Sequence, residues 1–281
     1  MTFQEEIKKW LGKYKQTHFS ELEDGKWRKN GVAYSHILPE EYWFNNLLFE
    51  YRPELKDFIG SSKINRHPDF HHLNSSQAMC LNFFYPLIKE EKLQLILQFL
   101  NLEDESVDYD SVCFEKPSKI ESELGYRPTS FDFYFKTTNS KEIHFEIKFT
   151  EQEFGKAIHD IEHLNKYESV YKHHCSAINV EYSSCNYFLN YYQLLRNVIH
   201  VSDNSYVVFL FPENNKKVKQ QAEFAKTTLV MPDFQHHLIN CTWESIIDFI
   251  ETINLESPRL VKQMDDFKKK YKIMSSATNF Y

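Results

Sequence analysis

Six glycines in 281 residues are too few for a Gly-rich phosphate cradle, and none stands in a GxSxG elbow. Nucleotide-loop and serine-hydrolase chemistry therefore drop out. Cys80, Cys113, Cys175, Cys185 and Cys241 are odd in number and form no CxxC pair, which argues against a cysteine-rich zinc module and against a disulfide framework. They are expected to be reduced and mostly buried. No apolar run approaches the roughly 18–20 residues of a membrane span, and "MTFQEEIKKW" has neither the basic start nor the apolar stretch of a signal peptide. The expectation is a soluble, cytoplasmic protein that does not engage a membrane. Positive charge is also short: 33 Lys and Arg against 40 Asp and Glu leave a net charge of −7. Any nucleic-acid surface must then be a local basic patch or depend on a bound cation.

What the chain does have is apolar mass, 42% hydrophobic and 16% aromatic, enough to bury a substantial core. Residues 1–70 read as a helical extension: "TFQEEIKKWLGKYK" has helical spacing and "PEEYWFNNLLFEYR" starts on Pro39. Residues 71–281 read as the main domain, with one continuous domain as the alternative. "LNSSQAMCLNFFYPLIKEEKLQLILQFLN" predicts a pair of core helices kinked at Pro86, with Asn74 or Ser75 as N-cap. From "SVCFE" the period changes to strands, near 111–115, 131–136 and 142–149. A helix over roughly 153–172 follows, then another over "NYFLNYYQLLRNVIH". "SYVVFLFP" predicts a strand buried on both faces, and "HLINCTWESIIDFIETI" a strand running into a helix capped by Thr242. "PRLVKQMDDFKKKYK" closes the chain as a helix. The class is α/β, with a mixed sheet flanked by helices.

The stretch "FDFYFKTTNSKEIHFEIKF", residues 131–149, carries charges a hairpin does not need. Alternation puts Ile143, Phe145, Ile147 and Phe149 on one face and His144, Glu146, Lys148 and Thr150 on the other. Phe131, Phe133 and Phe135 separate likewise from Asp132 and Tyr134. A turn centred on Asn139 pairs 136 with 142, 134 with 144, and Asp132 with Glu146. Like charges so opposed cost up to ~1 kcal/mol, so stability does not select them. Two converging carboxylates with a Lys on the same face make a site for a hard divalent cation such as Mg²⁺. The bland alternative is an ordinary amphipathic hairpin with solvated acids.

These residues resemble the PD-(D/E)XK nuclease superfamily, in which an Asp on one strand and an E-x-K on the next hold Mg²⁺. The likeness extends to "LNSSQAMCLNFFYPL", "GYRPTSFDFYF", "FEIKFTEQEFGKA" and "YYQLLRN", which are similar to successive signatures of a bacterial restriction endonuclease family, over about residues 73–197. The resemblance implies a restriction-endonuclease-like core and a Mg²⁺-dependent endodeoxyribonuclease of a restriction or other defence system, with Mn²⁺ able to substitute. It makes Asp132 and Glu146 metal ligands, with the Ile147 carbonyl as a third, and assigns Lys148 to the attacking water or the phosphate charge. Glu115, and after it Glu121 and Glu123, are candidates to complete the coordination. Many superfamily members carry a Glu on the first core helix; here that helix offers Gln77, a cleft-facing helper by resemblance and a buried amide by default. Gln193 and Arg196, at i and i+3, read equally as DNA-backbone contacts or as an interhelix polar pair. "NNKKVKQ" and "KKKYK" are candidate backbone-binding patches. Cutting both strands is compatible with a homodimer.

Two readings compete. One is a nuclease fold without catalysis, acting as a DNA-binding or regulatory subunit. The other is a zinc metallopeptidase, because "HDIEH" matches HxxEH with His159 and His163 as ligands and Glu162 as base.

Overall fold

The computed structural model describes residues 1–62, 64–122, 125–126 and 128–274. In chain order the helices are α1 (Phe3–His18), α2 (Arg52–Ser61), α3 (Ser76–Lys89), α4 (Gln94–Phe99), α5 (Lys119–Ser122), α6 (Ile161–Ser169), α7 (Cys185–Asn190), α8 (Tyr192–Val198), α9 (Lys216–Phe224), α10 (Trp243–Glu251) and α11 (Pro258–Tyr271). The strands are β1 (Gly25–Lys26), β2 (Ala33–Tyr34), β3 (Val107–Pro117), β4 (Ser130–Thr137), β5 (Glu142–Ile147), β6 (Ser205–Phe211) and β7 (Leu238–Thr242). The chain forms two compact units, residues 1–101 with the part from Thr242 onward, and residues 102–241. Residue 70 lies inside the first unit, where the Asn46 amide bonds the Phe70 and His72 carbonyls at 2.7 Å each.

The first unit is helical, with a two-strand β1–β2 hairpin. Helix α1 starts on a capping box, the Thr2 hydroxyl accepting from the Glu5 amide while the Glu5 carboxylate accepts from the Thr2 amide. The expected pair of helices divides after Lys89 rather than at Pro86: α3, capped by Ser75, runs unbroken through the proline, and α4 follows. Proline deprives the Asn82 carbonyl of its helical donor, and the buried Gln263 amide replaces it at 2.8 Å. Helix α10 starts on Thr242 as expected, through a reciprocal box with Ser245. Trp243, Phe83 and Phe267 then pack together with centroids 5.1–5.4 Å apart, T-shaped between Phe83 and Trp243 and tilted in the other two pairs.

The second unit is α/β. Its sheet has the order β3-β4-β5-β6-β7, with β3–β4 and β4–β5 antiparallel and β5–β6 parallel. A parallel neighbour cannot follow a tight turn, and residues 148–204, carrying α6 to α8, make the crossover. All seven residues of β6 are buried. Val207, Phe209 and Phe211 face a core completed by Phe154, Tyr171, Phe188, Leu195 and Val218 from the flanking helices and loops.

Two expected helices are shorter. The one expected over 153–172 is reduced to α6, because Gly155 turns left-handed at φ +88° and Asp160 caps the helix by accepting from the His163 amide at 2.9 Å. The next splits into α7 and α8 at Tyr191, whose φ −117° and ψ 36° are not helical. All five cysteines are free, but only Cys80 and Cys241 are buried and the rest are half-buried. No helix among the described residues is long and apolar enough to cross a membrane.

Candidate active site

The hairpin of β4 and β5 has the register its sequence predicts, with Lys136 opposite Glu142 and Tyr134 opposite His144. The ladder ends at Phe133 and Phe145, one step before Asp132 and Glu146. Beyond it the Ile147 amide turns to a side chain, donating to Asp132 Oδ2 at 2.6 Å. Lys148 Nζ donates to Glu146 Oε1 at 2.7 Å. Asp132 and Glu146 are half-buried, whereas Lys148 is only 8% exposed, its ammonium 5.3 Å from the Phe154 ring.

Electrostatics bind these groups together. Burial, then the neighbouring Glu146 and Glu115 carboxylates, push the Asp132 carboxyl well above the usual range, against the pull of Lys148 and the Ile147 amide. Burial alone would lower the Lys148 ammonium. Instead Glu146, Glu151 and Asp132 surround it with negative charge and hold it above its ordinary value. Glu151 is a residue the sequence reading missed. Its carboxylate accepts from the Phe149 amide at 2.6 Å, and the Asn215 amide holds the Phe149 and Glu151 carbonyls at 3.1 and 2.8 Å. An acid three residues after Lys148 was the available signal.

Glu115 ends up beside this group through its backbone. It sits at φ +53°, in the left-handed region that costs a non-glycine residue about 1–2 kcal/mol. Phe114 and Lys116 on either side keep their ladder partners, Phe133 and Phe131. One expected facing fails here: Phe131 packs on His144 at 4.5 Å and His200 at 4.9 Å, while Phe133 packs on Phe145 at 5.8 Å. Simple alternation breaks where Glu115 is strained and Asp132 leaves the ladder.

The other candidates lie in different settings. Glu121, 1% exposed, accepts from Lys166 at 2.8 Å, Arg196 at 2.6 Å and Tyr171 at 2.5 Å, and from the Thr129 amide. Burial would raise its pKa, but Arg196, Lys166, Tyr171 and that amide together lower it. Arg196 is therefore engaged in this interhelix cluster, its ring-side face 4.9 Å from Tyr192. Gln193 is exposed and stands against Gly155. Gln77 belongs to the first unit, where its side chain accepts from the His67 amide at 2.8 Å and donates to the Asn65 carbonyl at 3.1 Å. Glu123 lies outside the described residues. The lysines of "KKKYK" are spent locally, Lys268 on Glu251, Lys269 near Asp266 at 3.8 Å, and Lys270 buried on Asn46.

His159 and His163 do not share a helical turn, since Asp160 caps α6 after His159. His163 Nδ1 lies 2.8 Å from that same Asp160. The HxxEH geometry is thus lost. Among the described residues no group of three or more His, Cys, Asp and Glu is gathered to hold a metal. The site offers two carboxylates, with Glu115 near enough to act on the charge of Asp132.

No curated protein and no solved structure matches this chain. A family match runs along nearly all of it, from residue 8 to 272, and takes in both the helical unit and the sheet that carries Asp132, Glu146 and Lys148. The chain belongs to the restriction endonuclease family described as Restriction Endonuclease associating with ARP.

Proposed function

We infer that this protein is a Mg²⁺-dependent endodeoxyribonuclease of the PD-(D/E)XK type, cutting DNA in a restriction or other defence system. The observation that carries the reading is the group Asp132, Glu146 and Lys148. Two half-buried carboxylates converge from neighbouring strands, and the lysine of the E-x-K is fixed on one of them. Hard carboxylate oxygens held against their own repulsion suit a small divalent cation, and Asp132, Glu146 and the Ile147 carbonyl would hold it. When bound, such a cation polarises the phosphoryl oxygen and lowers the pKa of coordinated water.

The protein's own groups have separate tasks in this reading. The Ile147 amide fixes the Asp132 carboxylate through Oδ2. Lys148 stays an ammonium among Glu146, Glu151 and Asp132, so its role is to orient water and to stabilise negative charge on the phosphate rather than to take a proton. The family description adds an association with ARP as an expected partner.

The test is cleavage of supercoiled plasmid, unmodified and methylated, with Mg²⁺ and Mn²⁺. Wild type should cut, and Asp132→Ala and Lys148→Ala should not, at equal folded fraction by circular dichroism. Full activity in either variant removes the site assignment. DNA binding by the wild type without cleavage in either metal would favour the inactive regulatory subunit.

A further inference from the structure

Beside the carboxylate site, and wholly within the second unit, a half-open pocket of about 360 Å³ is lined by Lys116, Lys119, Phe131, His144, His200 and Ser205, among others. Three observations set it apart from a packing defect. Its floor carries polar groups with unmet bonding capacity: His144 is 5% exposed and Ser205 6%, and neither His144 Nδ1 nor Ser205 Oγ has a hydrogen-bond partner, while His144 Nε2 faces Glu142 at 3.5 Å. Buried polar groups are ordinarily satisfied, at a cost of about 1–3 kcal/mol when they are not. Its mouth carries two lysines, and no described carboxylate lies in ion-pair contact with Lys116 or Lys119, Lys116 standing instead 4.7 Å from the Tyr134 ring. Between mouth and floor stands the half-buried His200 ring, backed at 4.9 Å by Phe131, which is itself 1% exposed.

We propose that this pocket binds a nucleoside 5′-monophosphate, its phosphate on Lys116 and Lys119, its base against His200, and the base edge on His144 Nδ1 and Ser205. The volume falls in the range of about 300–1,000 Å³ usual for small-ligand sites. Stacking on an aromatic face suits any base, and unpaired donors and acceptors at the floor give the base edge what a bare anion would not use. Glu142, the one acid in the lining, is bonded by Tyr134 at 2.9 Å, paired with Lys136 at 3.2 Å and faced by His144 Nε2 at 3.5 Å, which leaves the lysines to set the sign of the mouth. Phe131 precedes Asp132 in β4, and His144 stands two residues before Glu146 in β5. The nucleotide is therefore either a unit of the strand being cut or a free mononucleotide acting next to the site. The binding itself needs neither metal nor turnover, so it stands or falls apart from the nuclease reading.

The experiment is calorimetric titration of the metal-free full chain with ribo- and deoxyribonucleoside 5′-monophosphates and with inorganic phosphate. Wild type is compared with the surface double variant Lys116→Ala/Lys119→Ala. At least one monophosphate should bind, at least about tenfold more weakly in the double variant, with inorganic phosphate far weaker. Displacement of the nucleotide by a short single-stranded oligonucleotide identifies it as a unit of the strand, and its retention identifies a free ligand. No monophosphate binding at millimolar concentration, binding unchanged in the double variant, or phosphate binding as tightly as nucleotide overturns the proposal.

Discussion

Replacing Asp132 by Asn should make the metal-free protein more stable while ending its response to Mg²⁺. Asp132 lies one step past the last ladder pair and acts electrostatically on Glu146 and Glu115. Two unit charges about 5 Å apart repel by about 3 kcal/mol at the effective dielectric of about 20 that suits protein sites. Lys148 and the Ile147 amide offset part of this. Asparagine keeps an acceptor for the Ile147 amide but surrenders the charge assistance, worth about 1 kcal/mol. A net gain of about 1–2 kcal/mol remains, which for a chain of this size is a rise in Tm of about 2–8 °C. Wild type, by contrast, should gain about 1.4 kcal/mol from Mg²⁺ at ten times its Kd. Thermal unfolding of EDTA-treated protein, with and without MgCl₂, reads both effects. A lower metal-free Tm in Asp132→Asn, or an undiminished Mg²⁺ shift, would refute the view that a cation relieves opposed carboxylates here.

Other perturbations follow from the same structure. Glu121→Ala strands Lys166 and Arg196 in a buried cluster and should cost roughly 3–5 kcal/mol in urea unfolding, a loss Glu121→Gln repairs only in part. Gly155→Ala puts a Cβ 2.9 Å from Gln193 Cδ at φ +88°, so it should lose roughly 1–2 kcal/mol of backbone strain alone; adding Gln193→Ala should recover only the contact. Burial and then His144 hold the His200 imidazole down to about 3, against Glu121 and Glu142 and with His174 adding to the effect. The unfolded chain takes up that proton near pH 6.5, so this stability is complete above about pH 6.5 and drains away as the pH falls towards 3, at no more than about 1.4 kcal/mol per pH unit. The urea midpoint should therefore depend less on pH between 7 and 5 in His200→Asn than in wild type; parallel curves would remove His200 from the account.

The sequence yields the site's pairing but not its electrostatics. Period-two alternation around a polar turn gives the register of 134 with 144 and 136 with 142, because a slip of one residue would turn a buried face outward. Thr242 is legible as a cap because its signal is local. Pro86 misleads because the donor that rescues Asn82 comes from Gln263, 181 residues later. Phe131 misleads because alternation assumes an unbroken ladder, and neither the left-handed Glu115 nor the side-chain bond from Ile147 to Asp132 is written in local composition. The raised Lys148 likewise depends on Glu151 being folded back over it. Arg196 finds Glu121 across 75 residues, a pairing that no spacing rule anticipates.

The central claim, that Asp132 and Glu146 form the cation site of a DNA-cutting centre, is tested most directly by locating Mn²⁺ through anomalous scattering in crystals of the active protein. The account predicts a peak at the Asp132 and Glu146 carboxylates in wild type and none there in Asp132→Ala. Manganese bound elsewhere in crystals that still cut DNA, with these carboxylates bare, would contradict it.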